Sequence, residues 1–594
     1  MSYRRKKLLA LFFAMALSMT AVAGCTGIKS STGNVVSSET ETNAEETSAQ
    51  SEAGTFSSAD MFTERDLAGT YEESGAVYVT LSDDDITGET DGVVIDGQMV
   101  TITAEGTYIF SGTLSEGQIV VDADNAKVQI VFDNVDITCA SSAAVYVKSA
   151  EKVFVTLAEG SQNTLRNTDE YVAIDDNNID AVIFAKSDLT LNGTGSLTII
   201  SAEGHGIVSK DDLKIIGGTY DITAAGHALS GKDSVRIADG TFILTAEKDG
   251  IHAENADDEE KGYIYIADGD FTITSDGDGM DASNIVQIED GTLDITAGGG
   301  SANSLKTHES DVPGGPGGGM PQNGEKLDGE SMPQMGEKPD GENMPQDTTT
   351  DESGTSTKGI KAGGGMYLNG GTYQIDSADD SIHSNANITI ADGTYTLATG
   401  DDGVHADDAL IVNGGTITVT ESYEGLEGLA VTINDGTIDI TASDDGINTA
   451  GEKMELNGGY IHILAGGDGV DSNGDLTING GEIYIDGPSD NGNSAIDYGD
   501  RSSAYVNGGM LVAIGSSGMA EGMSDSSKQE VLMVKLGEQM EAGDVELTDN
   551  EGNVIVSYTA LKSYDCVIIS TAEVESGATY TLTTSGTTTE VTAE

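Results

Sequence analysis

The sequence predicts an all-β fold: a right-handed, single-stranded parallel β-helix of about 22 residues per coil with a small β cap at the C-terminus. Three observations predict it. A glycine pair, or Asp-Gly, ends at Gly218, Gly240, Gly269, Gly291, Gly371, Gly393, Gly415, Gly436, Gly459, Gly481 and Gly509, in steps of 22, 29, 22, 80, 22, 22, 21, 23, 22 and 28 residues. Short apolar–polar alternation, the period of strands, flanks each of these turns. Apolar residues recur at fixed offsets from the glycine, so stacked coils build continuous columns.

The elements follow in chain order. Arg4, Arg5, Lys6 and Lys7 precede an apolar run from Leu8 to Val22 and then Val22-Ala23-Gly24-Cys25. This is an export signal whose small residues before a cysteine resemble a bacterial lipobox, so residues 1–25 are expected to end at a lipidated Cys25. Residues 26–60, rich in Ser, Thr, Glu and Ala, lack the apolar surface to fold and are expected to tether the protein. Residues 61–200 carry short strands such as Val100–Thr103 and Val128–Phe132 without a clean period, and are expected to form an N-terminal β cap and irregular coils. Residues 201–518 are the regular helix, interrupted at 307–357 by a Gly/Pro/Met stretch expected to be a disordered insert. Residues 519–594 lose the period and read as antiparallel strands capping the last coil.

One coil, DDGVHADDALIVNGGTITVTES from Asp401 to Ser422, shows the layout. It predicts strands over Val404–Ala406, Leu410–Val412 and Thr416–Thr420, with turns at Asp407-Asp408, Asn413-Gly414-Gly415 and Glu421–Gly425. Pairs before the turn glycine (Leu213/Ile215, Val235/Ile237, Ile264/Ile266, Ile388/Ile390, Leu410/Val412, Leu476/Ile478) and after it (Tyr220/Ile222, Phe242/Leu244, Leu293/Ile295, Tyr373/Ile375, Ile417/Val419, Ile438/Ile440) define the expected core.

Composition narrows the function. With 101 acidic against 27 basic residues and a formal net charge of -74, the chain lacks the basic patches that nucleic acid requires. Apart from Cys25, only Cys139 and Cys566 remain, too few and too far apart for a disulfide framework or zinc site. Trp is absent, and Tyr220, Tyr373 and Tyr395 fall on inward columns, leaving Tyr423 and Tyr498 at corners as aromatic side chains placed for outside contacts. A monomer is expected.

One column carries candidate chemistry. Asp-Gly, or a near equivalent, precedes an inward apolar residue and then an outward polar one, as in Asp249-Gly250-Ile251-His252 and Asp402-Gly403-Val404-His405. Carboxylates stacked about 4.8 Å apart repel unless backbone amides, water or a cation compensate. Calcium, which takes oxygen ligands, is therefore expected at Asp249, Asp278, Asp379, Asp380, Asp401, Asp402, Asp444, Asp445 and Asp468. The outward residues His252, Asp281, Lys361, His383, His405, Glu427, Asn448 and Asp471 form a polar ladder expected to contact substrate. The glycines between the rows are expected to leave a bare-floored groove for an extended polymer. No nucleophilic constellation stands out, and no catalytic residue is assigned. Lys210, Lys232, Lys361 and Arg501 are the bases a lyase would draw on, none in a distinguishing context.

The run SDLTLNGTGSLTIISAEGHGIVSKDDLKIIGGTYDITA (Ser187–Ala224), with DDGVHADDALIVNGG and SYEGLEGLAVTINDGTIDITASDDGIN further on, resembles the clostridial cell-surface carbohydrate-binding β-helix proteins. The resemblance covers roughly Val77 to the C-terminus. It implies a pectate-lyase-like fold, binding of cellulose or acidic plant polysaccharide, bound calcium and no clear catalysis. The expectation is a calcium-assisted, non-catalytic, lipid-anchored protein on the outer face of the membrane that binds polysaccharide. The alternatives are a calcium-dependent polysaccharide lyase and a structural adhesin.

Overall fold

The computed structural model describes residues 56–306 and 356–593, other than 173, 452 and 500. The apolar run, Cys25, most of the tether and nearly all of the insert lie outside the described residues. Strands make up 53% of the chain and helix 2%, and most strands join one continuous, largely parallel sheet that winds as a β-helix.

Each coil contributes three strands, and each pairs in parallel with its equivalent one coil away. On one face, Thr241–Ala246, Asp270–Ser275, Thr292–Ala297, Thr372–Ser377 and Thr394–Thr399 stack in unbroken register. Phe242, Phe271, Leu293, Tyr373 and Tyr395 thereby form one buried column, and the rings of Tyr373 and Tyr395 stack at 4.5 Å. Every predicted core pair is buried. The turn glycines sit where the next coil comes close: Gly415 has φ +89°, and a Cβ there would lie 2.8 Å from the Gly393 carbonyl oxygen.

The predicted strands Val404–Ala406 and Leu410–Val412 are one continuous strand, Val404–Val412, because exposed Asp407-Asp408 stays extended. The step to the next coil is one residue short, and the register shifts between Ala406 and Ala409 to absorb it. Residues 77–200 already stack as coils, capped by an antiparallel hairpin of Val93–Asp96 with Met99–Ile102. Residues 56–60 of the expected tether belong to the described fold: Phe56 packs on Tyr263 at 4.3 Å, and its backbone N–H donates to Gln287. Further along this strap, Asp66 is fully buried, ion-paired to Lys152 at 2.6 Å. At the other end, Met510–Gly515 is covered antiparallel by Tyr564–Ser570, and a separate four-stranded antiparallel sheet completes the cap.

Candidate functional site

The inward–outward alternation of the short first strands builds the site. Ile251, Met280, Ile360, Ile382, Val404, Leu426, Ile447 and Val470 are in register and buried. The next residues, His252, Asp281, Lys361, His383, His405, Glu427, Asn448 and Asp471, therefore form one outward ladder, as expected, with Ser230 and Asp497 extending it.

Two residues before each apolar residue runs a second row, at the corner. It contains the expected Asp249, Asp278, Asp380, Asp402, Asp445 and Asp468, and also His205, His227, Lys358 and Glu424. Backbone amides hold this row together. Oδ1 of Asp249 accepts the N–H of Asp278 at 2.9 Å, Oδ1 of Asp278 that of Lys358 at 2.7 Å, Oδ1 of Asp380 that of Asp402 at 3.2 Å, and Oδ1 of Asp445 that of Asp468 at 2.6 Å. The Nδ1 atoms of His205 and His227 accept in the same way. Each of these aspartates thus spends one oxygen on the next coil's amide and keeps the other for neighbouring side chains.

The glycines do not form a groove floor. Gly250, Gly279, Gly425, Gly446 and Gly469 are buried, and a Cβ on Gly425 would meet Ile440 Cγ2 at 2.4 Å and the Gly446 carbonyl oxygen at 2.3 Å. They permit close stacking over the core. The bare-floored depressions lie at the other corner, along the turn glycines: one groove of ≈ 410 Å³ from Glu289 to Thr416, another of ≈ 580 Å³ from Asp435 to Glu482. Tyr460, 42% exposed, lines the second; it stands one residue after the turn glycine Gly459, where most coils carry Thr, so the inward-column rule does not single it out.

Charge along the acidic corner divides into three zones. In the middle, Asp379, Asp380 and Asp401 come together around two lysines. Lys306 Nζ lies 2.6 Å from Asp379 and also bonds Asp401; Lys358 Nζ lies 2.9 Å from Asp379 and 2.7 Å from Asp380. Burial works against the charge on Asp380, but the Lys358 ammonium, His383 and Lys306 outweigh it and hold its pKa well below the usual range. Next along, His405 Nδ1 lies 3.2 Å from both Asp402 and Glu427. Burial opposes its charge, yet these acids raise it to about 10.

The C-terminal zone is acid only. Asp445, Asp468 and Asp471 offer carboxylate oxygens within 4.8 Å of one another. Burial, then Asp444 and Asp468, pushes Asp445 up to about 8; burial raises Asp468 to about 7, and burial with Asp497 raises Asp471 to about 6. Among the described residues no lysine, arginine or histidine pairs with these three. At the N-terminal zone, Asp249 lies between His227 and His252.

The architecture is a parallel β-helix with a polar, largely acidic corner along its coils. The family model for carbohydrate-binding domain-containing proteins matches residues 96–403 and 401–575, and the chain belongs to that family. A carbohydrate-binding domain-containing protein from Acetivibrio thermocellus is 41% identical over 135 residues, 22% of this chain. The match spans about half of that relative, 47% of its length. A solved structure described as the polysaccharide lyase-like protein from C. thermocellum, gadolinium derivative, is 36% identical, covers 38% of this chain and 92% of its own, and has a TM-score of 0.37.

Proposed function

We propose that this chain is a lipid-anchored cell-surface protein that captures acidic, pectin-like polysaccharide without cleaving it, through calcium held at the acid-only end of the corner. The observation that carries this reading is the Asp445–Asp468–Asp471 group, three carboxylates from two coils with no cationic side chain paired to them among the described residues. The donor set fits calcium, which takes six to eight oxygens; three carboxylates leave positions for water and for the carboxylates of a polymer. A column of coils repeating at about 4.8 Å lets successive sugars meet equivalent positions. Anchorage through Cys25 rests on the sequence of the export segment.

The lyase alternative has less support. The Lys361 ammonium lies 3.3 Å from both Asp278 and Asp281, which raise its pKa against burial, opposite to what a proton-abstracting base needs. Lys232 is paired with Asp257, and Lys210 lies over the Phe184 ring. A glycan array read in calcium and again in chelator tests the proposal. Calcium-dependent signal on polygalacturonate supports it; no signal on any acidic or β-glucan polymer contradicts it, and recovery of protein ligands alone would favour the adhesin.

A further inference from the structure

The N-terminal end of the corner differs in chemistry from the rest. His205, His227 and His252 stack with ring centroids 4.8 and 4.1 Å apart and planes within 2° and 11° of parallel. Asp249 Oδ2 lies 3.0 Å from His227 Nδ1 and 2.9 Å from His252 Nδ1. Asp281 Oδ2 lies 3.6 Å from His252 Nδ1, but its other oxygen is paired with Lys361 at 3.3 Å. We propose that His227, Asp249 and His252, with water completing the shell, form a binding site for a first-row transition-metal ion such as zinc, separate from the calcium proposed at the acid-only end.

Three observations carry this. The donors are two imidazoles and a carboxylate, a set that suits zinc with water in the fourth position, whereas calcium takes oxygens. The spacing fits a small ion. Donors about 2.1 Å from a tetrahedral zinc lie about 3.4 Å from one another; here donor atoms, one each from His227, Asp249 and His252, lie within 4.8 Å of one another, with Asp249 Oδ2 3.0 and 2.9 Å from the two Nδ1 atoms. The ion would displace the Asp249 amide that His227 Nδ1 accepts. Finally, His252 Nδ1 is buried yet meets neither carboxylate with hydrogen-bond geometry, while its Nε2 lies 3.5 Å from Glu254 Oε2. A ligating histidine characteristically has its second nitrogen held by a carboxylate in this way. The other His-containing groups differ. At Asp380–His383–His405, Lys358 already supplies a cation at 2.7 Å, and Asp402–His405–Glu427 offers a single imidazole.

The test is titration of the metal-free full chain with Zn²⁺, and with Co²⁺ followed by its visible absorption, in excess Ca²⁺. One ion is expected to bind, with cobalt bands of four-coordinate intensity. His252→Gln and His227→Asn remove imidazoles while keeping polar side chains; Asn retains an acceptor for the Asp249 amide. Each is expected to weaken binding by at least about tenfold, the lower end of what loss of a mere supporting residue costs. His462→Ala, on another face beside Asp439, is expected to retain the site. Circular dichroism establishes that the variants are folded. No saturable binding in the wild type, competition by calcium, or binding that survives both folded histidine variants would overturn the proposal. Polysaccharide capture is read separately, so failure here leaves the calcium reading standing.

Discussion

At the scale of the residue, the corner row shows how a repeated position keeps one backbone role while its charge varies. Asp, Glu, His and Lys all occupy it, and most accept the next coil's amide through one side-chain atom while the rest of the group faces its neighbours. Lys358 is the exception in charge, placed among acids. Lys358→Met should remove the ammonium from Asp379 and Asp380 and destabilise the protein by roughly 3 kcal/mol, as breaking a buried ion pair does. It should also make the melting temperature respond more strongly to calcium than that of the wild type, because a second acid-rich pocket is opened. Thermal melts with and without calcium measure both. Protonation gives a second expectation. Asp445, Asp468 and Asp471 have raised pKa values of about 8, 7 and 6 in the folded chain against a reference of 3.8, so between those limits the folded state binds more protons than the unfolded state. His405, raised from 6.5 to about 10, acts in the same direction. In chelator, stability is therefore expected to fall as pH rises from about 4 to 8 on account of the acids, and on toward 10 on account of the histidine. Calcium should flatten the acid part of this decline. A melting temperature that rises across this range in chelator would contradict the reading.

At the scale of the element, strand alternation made most of the site legible in the sequence. Ile251 and His252 repeat as Val404 and His405, and a period of two puts one inside and the other outside. His205, His227 and Lys358 carried the same signal, each standing two residues before an inward Ile207, Leu229 or Ile360, and extending the column by one rule would have found them. Lys306 could not be found that way, because it arrives from a loop after the coil ending at Ala297 rather than from a repeat position. The strap is illegible for a similar reason: Phe56 meets Gln287, 231 residues away, through helices of four residues. From sequence the glycines of the acidic corner suggest a floor, because composition shows a missing side chain but not the direction in which it is missing. Ala at Gly425 should collide with Ile440 and the Gly446 carbonyl and cost about 1–3 kcal/mol. Ala at Gly451, where the nearest atom would be 3.6 Å away, should leave the denaturation midpoint almost unchanged.

At the scale of the whole molecule, stacking converts sequence distance into adjacency. Asp445 and Asp468, 23 residues apart, touch through a hydrogen bond from the Asp468 backbone N–H to Asp445 Oδ1, and the column that contains them changes from imidazole-rich to lysine-balanced to acid-only along its length. The direction of the coils therefore orders the chemistry, and a bound polymer lying along the axis would meet these zones in turn. The most direct measurement is calorimetric titration of an oligogalacturonate into the full chain and into the Asp445→Asn/Asp468→Asn/Asp471→Asn variant, each in calcium and in chelator. Saturable binding by the wild type in calcium, abolished both by chelation and by the triple variant, is the predicted result. Binding of equal strength in chelator, or in the folded triple variant, would contradict the account.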